Sequence, residues 1–383
     1  MAEPNMIYSI NAISEIVTEN EVPIDEAKKQ IVKQKLLNNF IQTQNLIKTQ
    51  IQFSEPLLTY NDLPILYPGS LTTLQGRKGS NKSRITELFI SSLIANLDRV
   101  TTEFQRKADE EYFCIYFDTE RNSKEQFPSS MQNIIKTAGY NFDTEYKPHF
   151  AFYSLIELSR NDFERFDGMK QMVEYHRAEN PNKRIVIVVD VVTDLIGSFN
   201  DINQTMEIVD YLNILCNQQD ISVIAIIHEN KGDTNSRGHL GSETTNKSSV
   251  VCRVETERKS RIVKLHLLHT RGHREPDEPF YFEFDENTKL LKSADKQFVK
   301  DTIISENEVK QSILKILQPI EKLNRTDLIK AVQSEINKSE QTIDNELKSL
   351  CELNTLFKER IGRTIWYGIT FKPIIEVDEA PLF

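Results

Sequence analysis

The stretch LTTLQGRKGSNKSRITELF, residues 71–89, decides the fold of the central part of the chain. An apolar run ends at a glycine, and a short basic loop follows it. Ile85, Leu88 and Phe89 then recur at helical spacing. The pattern therefore predicts a strand, a loop and a helix in direct succession, with the helix over residues 83–97.

The loop matches the phosphate-binding pattern G-x-x-x-x-G-K-[ST] at Gly76, Lys82 and Ser83, but Asn81 stands where the pattern has its second glycine. That position requires a positive φ, and asparagine is the non-glycine residue that best tolerates it. We therefore predict a working phosphate site, with Lys82 reaching the β- and γ-phosphates and Ser83 binding Mg²⁺; a basic loop without function is the alternative. The predicted nucleotide contacts are Gly76, Arg77, Lys78, Gly79, Ser80, Asn81, Lys82, Ser83 and Arg84.

The composition limits the classes to which the protein can belong. The 383 residues carry a net charge of −10, with 39% hydrophobic and 27% charged residues. No apolar run is as long as a membrane span, and the N-terminus lacks a secretory pattern. We expect a cytoplasmic protein of two or three domains that does not bind a membrane, with reduced thiols at its four dispersed cysteines. The negative charge argues against broad non-specific nucleic-acid binding, but it is compatible with a local basic loop.

Strand and helix patterns alternate over residues 60–292, which we predict to form one domain. Strands that are apolar on both faces, with helices between them, predict an α/β fold with a mostly parallel sheet flanked by helices. The later apolar runs, within residues 250–284, follow one another without helices, so we expect antiparallel strands at one edge. Residues 1–59 are predicted to be a helical N-terminal arm, with a linker helix that docks on a neighbouring subunit as the alternative.

Three short amphipathic helices and a hairpin around Gly362 predict a winged helix-turn-helix domain over residues 303–372, followed by a flexible tail, residues 373–383. The segment 339–353, in the position of a recognition helix, is acidic and poorly suited to DNA. The hairpin is basic, with candidate DNA contacts at Lys358, Arg360 and Arg363. Docking of a replication or mobilisation protein on this domain is an equal interpretation.

Two apolar runs end in an acidic residue. RIVIVVD ends at Asp190, the pattern of a carboxylate that holds Mg²⁺ through water. CIYFDTER has Asp118 at the strand end and Glu120 two residues later. In this D-x-E the sequence resembles the RecA-like ATPases, in which such a glutamate polarises the water that attacks the γ-phosphate. The resemblance implies ATP and Mg²⁺ as cofactors and that role for Glu120; a solvent-facing charge pair is the alternative.

Two further segments are similar to this family. SVIAIIH ends at His228, where the family has a polar residue that senses the γ-phosphate. Residues 231–247 look like a flexible loop that faces the central channel of hexameric helicases and touches single-stranded DNA. The candidate contacts are Lys231, Arg237, His239 and Lys247. An ordinary surface loop is the alternative, because acidic residues dilute the charge.

The segment LHLLHTRGHR resembles the strand of ring-forming helicases that ends in a basic-x-Arg pair. In that family the arginine enters the ATP site of the neighbouring subunit, which implies this role for Arg271. His269 occupies the position that is usually lysine, and Arg274 can replace Arg271 as the finger. A hairpin turn of basic residues is the alternative.

Together these motifs, within residues 60–285, resemble the plasmid RepA/DnaB-type branch of the RecA-like ATPases. The resemblance implies a homo-hexameric, ATP-hydrolysing DNA motor or helicase that acts on single-stranded DNA in replication or mobilisation of a plasmid, phage or mobile element. The alternative is a nucleotide-gated DNA-binding regulator or loader with little turnover. A strand-exchange recombinase is a third, weaker reading.

Overall fold

The computed structural model describes residues 24–95, 102–141, 149–198, 200–230, 234–257, 262–285, 288, 290–294, 308–336, 338–352, 355–362 and 364–370. The chain divides into two compact units, Met1–Glu55 and Pro56–Phe383. None of the helices within the described ranges combines the length and the apolar character that crossing a membrane requires. The C-terminal tail, residues 373–383, lies outside the described residues.

The described part of the first unit contains one helix, α1, Ile24–Leu46. Several of its hydrophobic side chains are exposed, including those of Leu36, Phe40 and Ile41. The helix is shorter than expected, because the chain leaves helical geometry after Leu46 and residues 58–60 form a strand. The helical assignment up to residue 59 is therefore corrected.

A nine-stranded sheet forms the centre of the second unit, in the order β12-β11-β10-β9-β3-β8-β7-β5-β6. Strands β9, β3, β8, β7, β5 and β6 are parallel, and β10, β11 and β12 extend the sheet antiparallel at one edge, which confirms the mostly parallel sheet. The strands are β3 Leu71–Gly76, β5 Tyr112–Asp118, β6 Phe150–Ser154, β7 Arg184–Asp190, β8 Ser222–His228, β9 Val250–Thr256, β10 Val263–Thr270, β11 Phe280–Phe284 and β12 Leu291–Ser293.

Helices cover both faces of this sheet. They are α2 Lys82–Leu93, α3 Gln126–Thr137, α4 Glu164–Glu179, α5 Ile202–Gln219 and α6 Gly238–Lys247. One hydrophobic cluster contains Leu88 and Phe89 of α2 with Ile134 of α3, and a second contains Phe166 of α4 with Leu212 of α5. Strands that are apolar on both faces, as in β7, are buried because each face meets one of these clusters.

A small antiparallel sheet, formed by two strands before β3 and one after α2, was not predicted. Its order is β2-β1-β4, with β1 Leu58–Tyr60, β2 Leu63–Leu66 and β4 Gln105–Arg106. Asn61 and Asp62 connect β1 to β2, and both have positive φ, 49° and 62°. A two-residue connection with positive φ at both positions is the usual geometry of a tight hairpin.

The C-terminal part contains α7 Glu308–Leu317, α8 Arg325–Glu335 and α9 Glu340–Glu352, with an antiparallel sheet in the order β13-β15-β14. The strands are β13 Leu323–Asn324, β14 Leu356–Ile361 and β15 Thr364–Ile369. Buried side chains from all three helices and the hairpin form one cluster. The polar residues before α8 and α9 act as N-caps, since Asn324 Oδ1 accepts from the amide of Asp327 at 3.0 Å and Ser339 Oγ from that of Thr342 at 3.2 Å.

Candidate functional site

The loop between β3 and α2 has the backbone conformation that a phosphate loop requires. Asn81 lies in the left-handed region at φ 68° and ψ 23°, and its Nδ2 donates to Thr256 Oγ1 at 3.0 Å. Gly79 also has a positive φ, 78°. At Gly76 a Cβ atom would clash with the backbone carbonyl oxygen of Val254, so glycine is required at this close approach. The prediction that asparagine adopts positive φ here is confirmed.

Lys82 begins α2, and only 5% of the residue is exposed. Its Nζ donates to the carbonyl oxygens of Gly76 at 2.8 Å and Arg77 at 3.0 Å, and it lies 3.2 Å from Nδ1 of His228. Burial lowers the pKa of Lys82, whereas nearby carboxylates, first Asp190, oppose that change. The three hydrogens of the ammonium group thus each have an acceptor at the base of the loop.

Strand register places the ends of β3, β8, β7 and β5 side by side. Gly76 pairs with His228 across β3 and β8, and Asp118 pairs with Asp190 across β5 and β7. Because these strands are parallel, their carboxyl ends meet at one edge of the sheet, where ligands bind in open α/β folds. The topology therefore brings together motifs that lie far apart in the sequence.

Glu120 and His228 form a hydrogen-bonded pair, with His228 Nε2 3.0 Å from Glu120 Oε1. Since Nδ1 of the same ring accepts from Lys82, this arrangement assigns the imidazole proton to Nε2, which donates to the carboxylate. The hydrogen bond from His228 is the main cause that lowers the pKa of Glu120. Lys82, His228 and Glu120 thus form one continuous hydrogen-bonded chain.

A second group at this edge surrounds Arg121. Its Nε lies 2.9 Å from Asp118 Oδ2, and one terminal nitrogen, Nη2, donates both to Asp190 Oδ2 and, at 2.7 Å, to the Tyr116 hydroxyl. Burial would lower the pKa of Arg121, but the surrounding phenol and carboxylates outweigh it and raise that pKa. Burial raises the pKa of Asp118 to about 6. Glu87, on α2, completes the group through an ion pair of 3.5 Å with Arg121.

Sequence reasoning missed Arg121 and Glu87. Arg121 follows the D-x-E directly, but only the pairing of β5 with β7 shows that its side chain meets Asp190. Glu87 was detectable, because it is an acidic residue within the apolar stretch ITELFISSL of a helix. A buried acid in such a stretch usually has a cationic partner.

These residues line one cleft of about 460 Å³. Its lining includes Lys78, Gly79, Ser80, Asn81, Lys82, Ser83, Arg84, Glu87, Asp118, Glu120, Arg121, Asp190 and His228. The structure therefore brings together the predicted phosphate loop, the predicted catalytic Glu120 and His228, and both predicted metal-binding residues, Ser83 and Asp190. Gly76 and Arg77 hold Lys82 through their carbonyl oxygens.

The cleft residues fit an anionic, phosphate-bearing ligand. Within the described residues, Ser80 Oγ is buried without a hydrogen-bond partner, in a loop that adjoins the N-terminus of α2. Hydroxyl and carboxylate oxygens, as in Ser83 and Asp190, are the donors that Mg²⁺ prefers. The described ranges hold no ready-made group of three or more histidine, cysteine or acidic ligands. Phosphate oxygens or water would therefore have to supply further ligands to a metal ion here.

Arg271 does not line this cleft. It lines a second, larger cleft of about 1060 Å³ together with His269, His239 and mainly amide and hydroxyl side chains. The pairing of β10 with β9 shifts between Leu267 and His269, so Leu268 and His269 are both exposed before Thr270 is buried again. This bulge directs His269 to the surface. Arg274 is 87% exposed and 3.8 Å from Asp277.

The predicted flexible loop with the DNA-contact candidates is instead largely helical. Residues 238–247 form α6, which packs through the buried Leu240 and Thr244. The segment before it is tied to β3, because Gln75 Nε2 donates to the Thr234 carbonyl at 2.9 Å and Ser236 Oγ to Gln75 Oε1 at 2.6 Å. Lys231 lies outside the described residues. Arg237 and Lys247 are exposed and His239 is half-buried.

In the C-terminal hairpin, Lys358 and Arg360 are exposed on β14, and Arg363 lies outside the described residues. The acidic α9 is partly neutralised, since Arg325 at the start of α8 bonds to Asp344 at 2.9 Å and Glu340 at 2.8 Å.

Comparison with known proteins gives no family assignment. Neither a family model nor a curated protein sequence matches this chain.

Proposed function

We propose that the chain is a RecA-like P-loop ATPase that binds and hydrolyses ATP in the cleft at the carboxyl ends of β3, β5, β7 and β8. The observation that carries this proposal is the hydrogen-bonded chain from Lys82 through His228 to Glu120, 3.2 Å and 3.0 Å long in its two steps. It joins a phosphate-binding cation to an ionised carboxylate through a neutral imidazole. This is the connection that a site needs to couple phosphate contact to activation of water.

The residues have distinct roles in this proposal. The loop amides and Lys82 hold the phosphates, and Ser83 with Asp190 would hold Mg²⁺, which neutralises phosphate charge when bound. Glu120 orients the attacking water and accepts its proton. His228, which is bonded to both Lys82 and Glu120, senses the γ-phosphate. Because Arg271 lines a different cleft, we assign it to the ATP site of a neighbouring protomer in a ring, most simply a hexamer.

We further propose that the ring is a motor on single-stranded DNA in replication or mobilisation of a plasmid, phage or mobile element. The support is two basic side chains beside the larger cleft, since basic residues are the usual contacts of nucleic-acid phosphates. Arg237 and Lys247 are exposed beside it on the segment that Gln75 ties to the phosphate-loop strand. The C-terminal domain, in this proposal a winged helix, contacts DNA with its hairpin or docks a protein.

The test measures ATP affinity by calorimetry and turnover with and without single-stranded DNA. We expect Lys82→Ala to lose ATP binding and Glu120→Gln to retain binding while turnover falls at least ~100-fold. Lys170→Ala, on α4 outside the cleft, serves as the matched control and should behave like the unmodified protein. Unchanged binding and turnover in both cleft variants would remove the proposal.

A second candidate is a nucleotide-gated DNA-binding regulator or loader with little turnover. The observation that favours it is that both predicted acids are already bonded within the protein: Glu120 to His228, and Asp190 to Arg121 and Tyr116. These contacts must rearrange before the two carboxylates can act in ATP hydrolysis. A slow ATP turnover that DNA does not change, together with sequence-specific binding to duplex DNA, would favour this candidate.

A further inference from the structure

Arg121 is bonded to Asp190, one of the two residues that the proposed function assigns to Mg²⁺. A terminal nitrogen of Arg121 and the Tyr116 hydroxyl, at 2.7 Å, both bond to the same oxygen, Oδ2 of Asp190. The two donors also bond to each other at 2.7 Å. A divalent ion that coordinates this oxygen directly must displace both of them.

The arrangement is anchored on every side. Arg121 Nε lies 2.9 Å from Asp118 Oδ2, and Asp118 Oδ1 accepts the backbone amides of Glu120 at 3.2 Å and Arg121 at 2.7 Å. The side chain of Asp118 is fully buried, that of Asp190 is 5% exposed and that of Arg121 15%. Because the guanidinium is planar and presents its donors in a fixed fork, it meets two carboxylates at once in a way that a lysine cannot.

Charge explains why a cation is needed at this position. Asp118, Asp190 and Glu87 converge on one guanidinium, and Glu87 also pairs with Arg84 at 3.0 Å. Removing one partner of a buried ion pair leaves an uncompensated charge, which is far more costly than the pair itself. Without Arg121 the carboxylate of Asp190 would lose its compensating charge, and oxygen donors of this kind are the ones that hard divalent ions prefer.

We propose that Arg121, through its ion pair with Asp190, prevents a divalent metal ion from binding in the cleft until the nucleotide binds with it. Ser83 and the phosphate oxygens of the nucleotide would then hold the metal, and Arg121 sets the order of binding. This inference rests on the proposed function for the role of the metal. Its test needs neither nucleotide nor turnover, so the inference about Arg121 and the proposed ATPase function can fail separately.

The experiment titrates Mn²⁺ into the full-length chain without nucleotide and follows free Mn²⁺ by electron paramagnetic resonance. We expect weak binding for the unmodified protein and an affinity at least about tenfold higher for Arg121→Gln. Adding Asp190→Asn to Arg121→Gln should abolish the gain. Arg160→Gln, which alters a half-exposed arginine paired with Asp194 at 3.4 Å, controls for loss of one positive charge.

If Arg121→Gln does not fold, Arg121→Lys replaces it, with an intermediate gain expected because lysine keeps the charge but loses the fork. Two results would overturn the proposal. One is Mn²⁺ affinity that does not change in the folded Arg121 variant. The other is tight Mn²⁺ binding to the unmodified protein, equal to that of the variant.

Discussion

The Nε2 atom of His228 lies 3.0 Å from Oε1 of Glu120, between the ends of β8 and β5. This contact stabilises the ionised form of the carboxylate and is the main cause that lowers the pKa of Glu120. A base with a lowered pKa remains deprotonated, and therefore competent, to more acidic pH. The imidazole thus sets the lower pH limit at which Glu120 can act.

We expect His228→Ala to move the acidic limb of the kcat/KM profile for ATP hydrolysis to higher pH. Loss of the donor raises the pKa of Glu120 back toward its usual range, so the base is protonated earlier as pH falls. The measurement is the pH profile of kcat/KM. His228→Gln is the matched variant, because its amide can still donate to Glu120 and should keep the limb close to its original position. If the acidic limbs of the unmodified protein and of both His228 variants coincide, the hydrogen bond from His228 does not control the ionisation of Glu120.

Asn81 determines the conformation of the phosphate loop. Its φ of 68° lies in the region that glycine adopts freely, that asparagine tolerates and that β-branched residues avoid. We expect Asn81→Gly to change the free energy of unfolding by less than about 1 kcal/mol, because relief of strain offsets the lost bond to Thr256 and the added chain entropy. Asn81→Val should cost about 1–2 kcal/mol.

Urea denaturation and calorimetric ATP binding check this prediction. The two variants should also separate in function, with ATP affinity retained in Asn81→Gly and weakened in Asn81→Val. Equal stability of the glycine and valine variants would mean that the loop does not need a positive φ at this position.

The loop was predictable from sequence because its requirements are local. A strand end, glycines and an asparagine before Lys82 specify a backbone conformation without knowledge of the rest of the chain. The hairpin of β1 and β2 had a local signal as well, since Asn61 and Asp62 are residues that favour positive φ, but the preceding helix pattern was extended across it.

Other elements depended on tertiary context. The segment GHLGSETTNK contains two glycines and several residues of low helix propensity, yet it forms α6. Burial of Leu240 stabilises it, and the Thr244 hydroxyl bonds back to the Leu240 carbonyl at 2.7 Å. The contact of Arg121 with Asp190 likewise depends on the pairing of β5 with β7, which no local pattern reveals.

Arg165 fixes the loops on the far side of the cleft from the phosphate loop. Its guanidinium donates to the carbonyl oxygens of Leu158 at 2.9 Å, Ile156 at 3.1 Å, Thr119 at 3.2 Å and Asp194 at 3.1 Å. These residues follow three different strands, and Thr119 immediately precedes Glu120. A single buried side chain therefore joins the loops that follow β5, β6 and β7.

We expect Arg165→Met to lower the free energy of unfolding by ~2–4 kcal/mol, since four buried or part-buried carbonyl oxygens lose their donor. Arg165→Lys should recover part of this loss. Urea denaturation measures both, with Arg160→Ala as the control, for which a half-exposed ion pair predicts a loss of at most ~1 kcal/mol. A loss in Arg165→Met no greater than in the control would show that the carbonyls find other donors.

Arg271 and Lys82 line different clefts, and in the proposed ring each ATP site takes the two residues from neighbouring protomers. We expect Arg271→Ala and Lys82→Ala each to abolish turnover alone, whereas a mixture of the two regains part of it. In a head-to-tail ring mixed at equal amounts, about a quarter of the interfaces would combine an intact loop with an intact arginine. Turnover of the mixture, measured after the subunits exchange, should approach that fraction.

Arg274→Ala tests the other candidate for the arginine finger, which is exposed and only 3.8 Å from Asp277. If that variant is inactive while Arg271→Ala is not, the finger is Arg274; if no mixture recovers turnover, the site does not form between protomers.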